Sequence, residues 1–208
     1  FYNFHSKVIK ELLRVSELIF YNIQIVTGSK RAFFKIIGEY SDFLKDIIIW
    51  DKGYAQPAMG VGILNRQSEL ILVFDSKNAI SRKFEIHNFK RGTLNDVWNI
   101  KRGKKIDNSH GAVFPENLVE MILKNFSSTN DIVYDPFMGT GTTAVVCKKM
   151  NRRWIGSEIS KVYSDLAEKR LNEINNPIVE EPKEKSISII SKKYNENLQN
   201  QKQLTLFL

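Results

Sequence analysis

Apolar residues recur along this chain in two rhythms. Over residues 6 to 16, Val8, Ile9, Leu12, Leu13 and Val15 fall near helical spacing among lysines and glutamates, which predicts an amphipathic helix. Leu18 to Ile25 reads as a strand, and Ser29 to Leu44 as a second helix carrying Phe33, Phe34, Ile36, Ile37 and Tyr40. Ile47 to Trp50 and Leu70 to Phe74 are continuous apolar runs, the pattern of strands covered on both faces. Gly53, Pro57, Gly60 and Gly62 mark a loop between them. Later, Ile132, Val133 and Tyr134 predict a short buried strand, Ala144 to Met150 the first turns of a helix, and Trp154 to Ser157 a further strand. This alternation predicts one α/β domain, a mostly parallel sheet with helices on both faces.

Length and composition narrow the class. A chain of 208 residues fits a single domain with a sizeable core, and no stretch approaches the roughly 18 uninterrupted apolar residues of a membrane span. The opening residues carry no signal-peptide pattern, and the single Cys147 excludes an intramolecular disulfide and offers no metal cluster, so a reducing cytoplasm is the expected compartment. From residue 177 onward, after Pro177 and Pro182, charged and amide-rich residues with few aromatics predict a tail, extended on the surface or partly disordered, over 177–208.

Candidate chemistry concentrates where the strand at Ile132 runs into Asp135-Pro-Phe137-Met138-Gly139-Thr-Gly141-Thr142-Thr and a helix runs out of it. Gly139 and Gly141 permit a tight turn and a close approach of backbone to ligand. The strand ending near Ser157 delivers Glu158 about 20 residues after the glycines, where dinucleotide folds keep a ribose-binding acid. No Gly-Lys-Ser/Thr follows, and the third glycine of the dinucleotide fingerprint is absent. The turn therefore points to a ribose-bearing ligand without a pyrophosphate, the plain alternative being an ordinary strand-to-helix turn. A net charge of +8 permits an anionic partner. Lys77, Arg82, Lys83, Lys90, Arg91, Lys101, Arg102, Lys104 and Lys105 crowd a stretch that holds only Glu85 and Asp96 as acids. Its two readings are a nucleic-acid surface and a solvated basic loop.

Taken together, Asp135 to Thr143, the run Asn151-Arg-Arg-Trp-Ile-Gly-Ser-Glu158-Ile159-Ser, and Tyr163 with Leu166 to Leu171 closely resemble the cofactor half of the DNA amino-methyltransferases, which methylate adenine N6 or cytosine N4. The likeness extends upstream through His110-Gly-Ala-Val-Phe114-Pro-Glu116, with Gly111 where the family usually has proline. It also takes in Asp46 to Lys52 and Ser68 to Asp75, which are similar to two strands of the target-side half, so that it covers roughly residues 5 to 175. The order of segments is similar to the permuted beta class. The resemblance implies an S-adenosylmethionine-dependent, Rossmann-like methyltransferase domain over 1–176, with a basic target-recognition segment at about 76–106. It implies cofactor contacts from Asp135, Phe137, Met138, Gly139, Gly141, Thr142, Glu158, Ile159, His110 and Phe114, and no metal. The target-side neighbourhood would bring Lys52, Arg66, Arg82, Lys83, Lys90 and Arg91 to double-stranded DNA, with Arg66, Arg82 and Arg91 suited to guanine edges. Tyr54 and Met59 either approach the flipped base or anchor their loop.

The family's Asp/Asn/Ser-Pro-Pro-aromatic tetrapeptide, which is understood to accept hydrogen bonds from the amine and to stack on the base, occurs nowhere in the 208 residues. No catalytic residue is therefore visible, and these residues alone are expected to show no turnover. The resemblance implies that residues precede Phe1, the rival being a truncation completed by another polypeptide. One of the two strands expected upstream normally lies between the cofactor strand and the strand beginning near Leu18, so the sheet is expected to have a hole at its middle. Three functions follow: a site-specific DNA methyltransferase of restriction-modification or epigenetic type, a methyltransferase of RNA or another substrate, and a non-catalytic DNA-binding partner with a cofactor-like fold. The terminal Gln203-Leu-Thr-Leu-Phe207 resembles the pentapeptide by which bacterial replication proteins dock on the sliding clamp, the alternative being an apolar terminus packed on its own domain. A homodimer stays open.

Overall fold

The structure, a computed structural model, describes residues 1–26, 28–55, 57–58, 60–103, 114–174 and the backbone of 203–207. The predicted tail at 177–202, His110, Met59, Lys104 and Lys105 lie outside the described residues.

The first apolar rhythm forms α1 (Tyr2–Val15), which begins four residues earlier than its spacing predicts, and β1 (Leu18–Ile23) follows. The second helix, α2, is shorter than expected at Lys30–Glu39. A 3-10 turn at Ser41–Phe43 ends the helical segment, and Leu44 opens β2 (Leu44–Asp51). β3 (Ser68–Asp75), β4 (Val97–Asn99), α3 (Glu116–Phe126), β5 (Ile132–Asp135), α4 (Thr142–Lys149), β6 (Arg153–Gly156), α5 (Lys161–Glu173) and β7 (Gln203–Phe207) complete the order.

The seven strands form one sheet in the order β4-β2-β3-β1-β7-β5-β6. β3 runs antiparallel to both of its neighbours, and every other pairing is parallel. Side chains alternate between the two faces of the sheet. Ile19, Tyr21, Leu72 and Phe74 pack with Ile9, Leu12, Phe33 and Ile36 of α1 and α2, whereas Phe20, Ile71, Val73 and Val133 pack with Leu118, Ile122, Phe126 and Val146 of α3 and α4. Both faces of the central strands are thus closed, as the continuous apolar runs predict.

The expected hole is not there. β7, from the chain's own tail, lies between β1 and β5 and pairs with both: Leu18 to Tyr21 face Leu204 to Phe207 on one side, and Ile132 to Tyr134 face Gln203 to Thr205 on the other. The physical pressure is the one that made a hole implausible, because two bare central edges would leave their ladder groups without partners. Sequence patterning finds no such strand, because the segment is short and its partners lie far away along the chain.

Candidate functional site

β1, β2, β4, β5, β6 and β7 all point their C-terminal ends to one end of the sheet, and the glycine turn leaves β5 there. A crevice outside the carboxyl ends of strands is where open α/β sheets hold ligands.

Asp135 closes β5 and is buried. Its carboxylate accepts hydrogen bonds from the Phe137 amide at 3.0 Å and from the Thr143 hydroxyl at 2.6 Å, which fixes the first and last residues of the turn to one another. Burial is the main cause that raises its pKa to about 6; the two hydrogen bonds oppose the shift, and the charge of Glu158 adds to it. Gly139 and Gly141 have φ of 53° and 82°, the left-handed region that glycine enters without strain. Their surroundings differ. A Cβ on Gly141 would meet the Cβ of Ala167 at 2.6 Å, so this glycine seats α5 against the turn, whereas a Cβ on Gly139 would meet nothing nearer than the Phe137 carbonyl at 3.9 Å. The backbone at Gly139 is open to a ligand.

Glu158 follows β6. One carboxylate oxygen accepts the Gly139 amide at 2.9 Å and the other the Ser160 amide at 2.7 Å, which leaves each oxygen a second lone pair. The Met138 amide donates to the Ser157 carbonyl and the Ser157 amide to the Asp135 carbonyl, so the ends of β5 and β6 are stitched together. Met138 lies over Gly156, where any Cβ would overlap its sulfur. Phe137 and Ile159 expose apolar surface on the two sides of the turn, and the ring of Phe4 on α1 lies 5.7 Å from that of Phe137. Thr142 is buried at the start of α4, where Arg170 reaches it at 3.3 Å and donates to the Thr140 carbonyl at 2.7 Å and to Glu116 at 3.1 Å. Phe114 is half-buried against Trp50, their rings 5.5 Å apart. Eight of the ten residues expected at a cofactor therefore surround one turn, with Phe114 beside it and His110 outside the described residues. Thr143 and Arg170 fall inside the segments that carry the resemblance, which assign them no contact, and Phe4 belongs to no motif.

The DNA-side expectations divide. Lys52 is buried, and its ammonium is held by Glu69 at 2.8 Å, so it is a structural ion pair; this corrects its expected contact with DNA. Glu69 also accepts from the Asn22 side-chain amide nitrogen at 2.8 Å, and among the described residues the buried Asn22 Oδ1 meets no donor. Arg66 is exposed on the loop between β2 and β3, at the same end of the sheet as the glycine turn. Arg82, Lys83, Lys90 and Arg91 are exposed on the connection from β3 to β4, which leaves and re-enters the sheet at the opposite end. That connection is pinned to the last turn of α3, where Phe84 and Phe89 pack on Phe126 and Asn88 donates to the Lys124 and Ser127 carbonyls. Lys101 and Arg102, by contrast, line a cleft with Phe114, Asn117 and Arg170 beside the turn. Tyr54 is exposed on the loop that follows β2.

A family model described as DNA methylase matches residues 1–169. The orphan methyltransferase M.BamHII of Bacillus amyloliquefaciens is 45% identical over 86 residues, which cover 38% of this chain and 32% of that protein. The Type II methyltransferase M2.LlaDCHI of Lactococcus lactis subsp. cremoris is 32% identical over 133 residues, 60% of this chain and 49% of that protein. The chain thus spans half or less of the length of these relatives. Among solved structures, the M1.HpyAVI-SAM complex superposes with a TM-score of 0.55 at 26% identity, covering 74% of this chain and 73% of that one.

Proposed function

We propose, from the premise that this chain belongs to the DNA methylase family, that it binds S-adenosylmethionine at the glycine turn and serves methyl transfer to an exocyclic amine of DNA, adenine N6 or cytosine N4, at specific sites. The observation that carries this reading is Glu158, whose two oxygens are aimed by the Gly139 and Ser160 amides and keep lone pairs for the two ribose hydroxyls. The fit extends around it. Gly139 leaves the backbone open, Phe137 and Ile159 offer apolar surface to the faces of an adenine, and the turn carries no lysine for a pyrophosphate.

When bound, the cofactor supplies an electrophilic methyl group. The chain's own residues hold it: Asp135 and Thr143 lock the turn, Arg170 fixes the Thr140 carbonyl, and Glu158 orients the ribose. Positioning of this kind accounts for much of such an acceleration. Lys101, Arg102 and Arg66 stand on the cofactor side of the sheet, and we assign them the phosphate contacts that a flipped base requires. The amine-orienting tetrapeptide is absent from these 208 residues, so they bind the cofactor without turning it over. A reducing cytoplasm suits the single buried Cys147, whose pKa burial pushes up to about 12; among the described residues no helix is long and apolar enough to cross a membrane. Clamp docking through Gln203–Phe207 requires those residues to leave β7.

Equilibrium binding of radiolabelled S-adenosylmethionine tests the reading. The chain is expected to bind it, and Glu158→Ala to weaken binding ten- to a hundredfold while the fold is kept. A folded chain with no affinity for the cofactor would refute it, and stronger competition by duplex RNA than by duplex DNA would shift the substrate to RNA.

A further inference from the structure

Duplex contacts at the cofactor end leave a second group of cations unexplained. Arg82, Lys83, Lys90 and Arg91 are exposed on the connection from β3 to β4, at the opposite end of the sheet. Between that connection and strands β2 and β4 lies a cavity of about 370 Å³, within the roughly 300–1,000 Å³ of small-ligand sites. Phe84 and Phe89 of the connection and Trp98 of β4 line it, and both phenylalanines are only half-buried, so ring surface is open to an occupant. Its charges are Asp46 of β2, Asp96 just before β4, and Arg82. Asp46 is half-buried and accepts the Ile47 amide through one oxygen at 2.9 Å. Its second oxygen and both oxygens of Asp96 meet no donor among the described residues.

This lining disfavours simple ligands. An anion alone would face Asp46 and Asp96, a cation alone would face Arg82, and an apolar group would cover all three charges without offering a counterpart. We infer that the cavity is a site for one unpaired nucleotide. The aromatic rings take the faces of its base, the two carboxylates accept hydrogen bonds from donors on its edge, and Arg82 takes its phosphate. Carboxylates only accept, so they favour guanine, whose ring N–H and amino group present adjacent donors, over thymine, whose single ring donor lies between two carbonyl oxygens. A paired base offers neither its faces nor that edge, so duplex DNA is not the ligand. The nucleotide comes either from a single strand, whose further phosphates the other cations of the connection would meet, or from the free pool. The inference does not depend on the cofactor reading, because the cavity and the glycine turn stand at opposite ends of the sheet.

The probes are guanosine monophosphate, thymidine monophosphate and two single-stranded hexanucleotides, one of thymines alone and one with a central guanine. Each is titrated calorimetrically into the full chain with S-adenosylmethionine at saturation. Guanosine monophosphate is expected to bind about tenfold more tightly than thymidine monophosphate, and the guanine-bearing strand to exceed the thymine strand by a similar factor. Asp96→Ala is expected to remove that preference, and Arg82→Ala to weaken both monophosphates alike, by about tenfold. Both side chains are exposed, so the fold is kept. Leu94→Trp, which narrows the cavity, is expected to abolish binding. A strand that binds more tightly than the monophosphate identifies the single strand as the source, and equal affinity identifies the free nucleotide. No binding of any probe would overturn the proposal, as would a guanine preference that survives Asp96→Ala. Displacement of the nucleotide by S-adenosylmethionine would also overturn it, by placing the nucleotide at the glycine turn. Polyglutamate that competes with every probe, in a chain without base preference, would overturn it in favour of an acidic peptide.

Discussion

Asp135 ties the chemistry of the turn to the pH dependence of the whole fold. Its carboxyl has a pKa of about 6 when folded against 3.8 as the ordinary value, so between these limits the folded state holds a proton that the unfolded chain has lost. Stability therefore falls as pH rises through that window and stays lower above it, by about 3 kcal/mol for a shift of this size. Urea midpoints at pH 4 and pH 7 are expected to show this loss, and Asp135→Asn to abolish that component of it. The two glycines make a second comparison. Gly141→Ala meets both a left-handed φ and the Cβ of Ala167, so it is expected to cost about 2–4 kcal/mol, whereas Gly139→Ala carries the backbone strain alone and costs about 1 kcal/mol. Denaturation of the two variants side by side checks the order. The glycines were legible in the sequence as a ligand turn; their division into one that admits a ligand and one that seats a helix was not, because Ala167 lies 26 residues from Gly141 and no local pattern connects them.

Among the elements, the apolar runs located β1, β2, β3 and β5, because a strand covered on both faces has few positions for polar residues; β6 followed the same reading, although it is an exposed edge strand. β4 escaped because three residues hold no period, and β7 because its amide-rich surroundings read as tail. The second helix is shorter than its spacing predicts, since nothing in Tyr40-Ser41-Asp42-Phe43 breaks a helical pattern as strongly as a proline or a glycine would. Charge without topology does not place a basic residue. Lys52 looked like a cation for DNA, but it ties the end of β2 to the start of β3 through Glu69. Lys52→Ala strands that partly buried carboxylate and is expected to destabilise the fold by about 3–5 kcal/mol. Guanidinium midpoints measure the loss, and the affinity of the remaining folded protein for DNA should be unchanged.

Two pairs of basic residues stand at opposite ends of the sheet. Lys101 and Arg102 stand at the cofactor end, and Arg82 and Lys83 at the other. Each phosphate contact contributes about 0.9 to the slope of log K against log salt for duplex DNA. Replacing Lys101 and Arg102 by alanine is thus expected to flatten that slope by about 2, and replacing Arg82 and Lys83 to leave it unaltered; titrations at several salt concentrations separate the pairs.

The pairing of Leu18 with Leu204 sets the schedule on which the sheet is completed. Strands β1 to β4 come from residues 18 to 99, and their mutual contacts can form while the chain is still being synthesised. Closing β1 onto β5 waits until residue 207 has left the ribosome, and contacts so distant in sequence form slowly. Throughout that interval the pairing edges of β1 and β5 lack β7, so yield on expression should depend on how quickly that strand arrives.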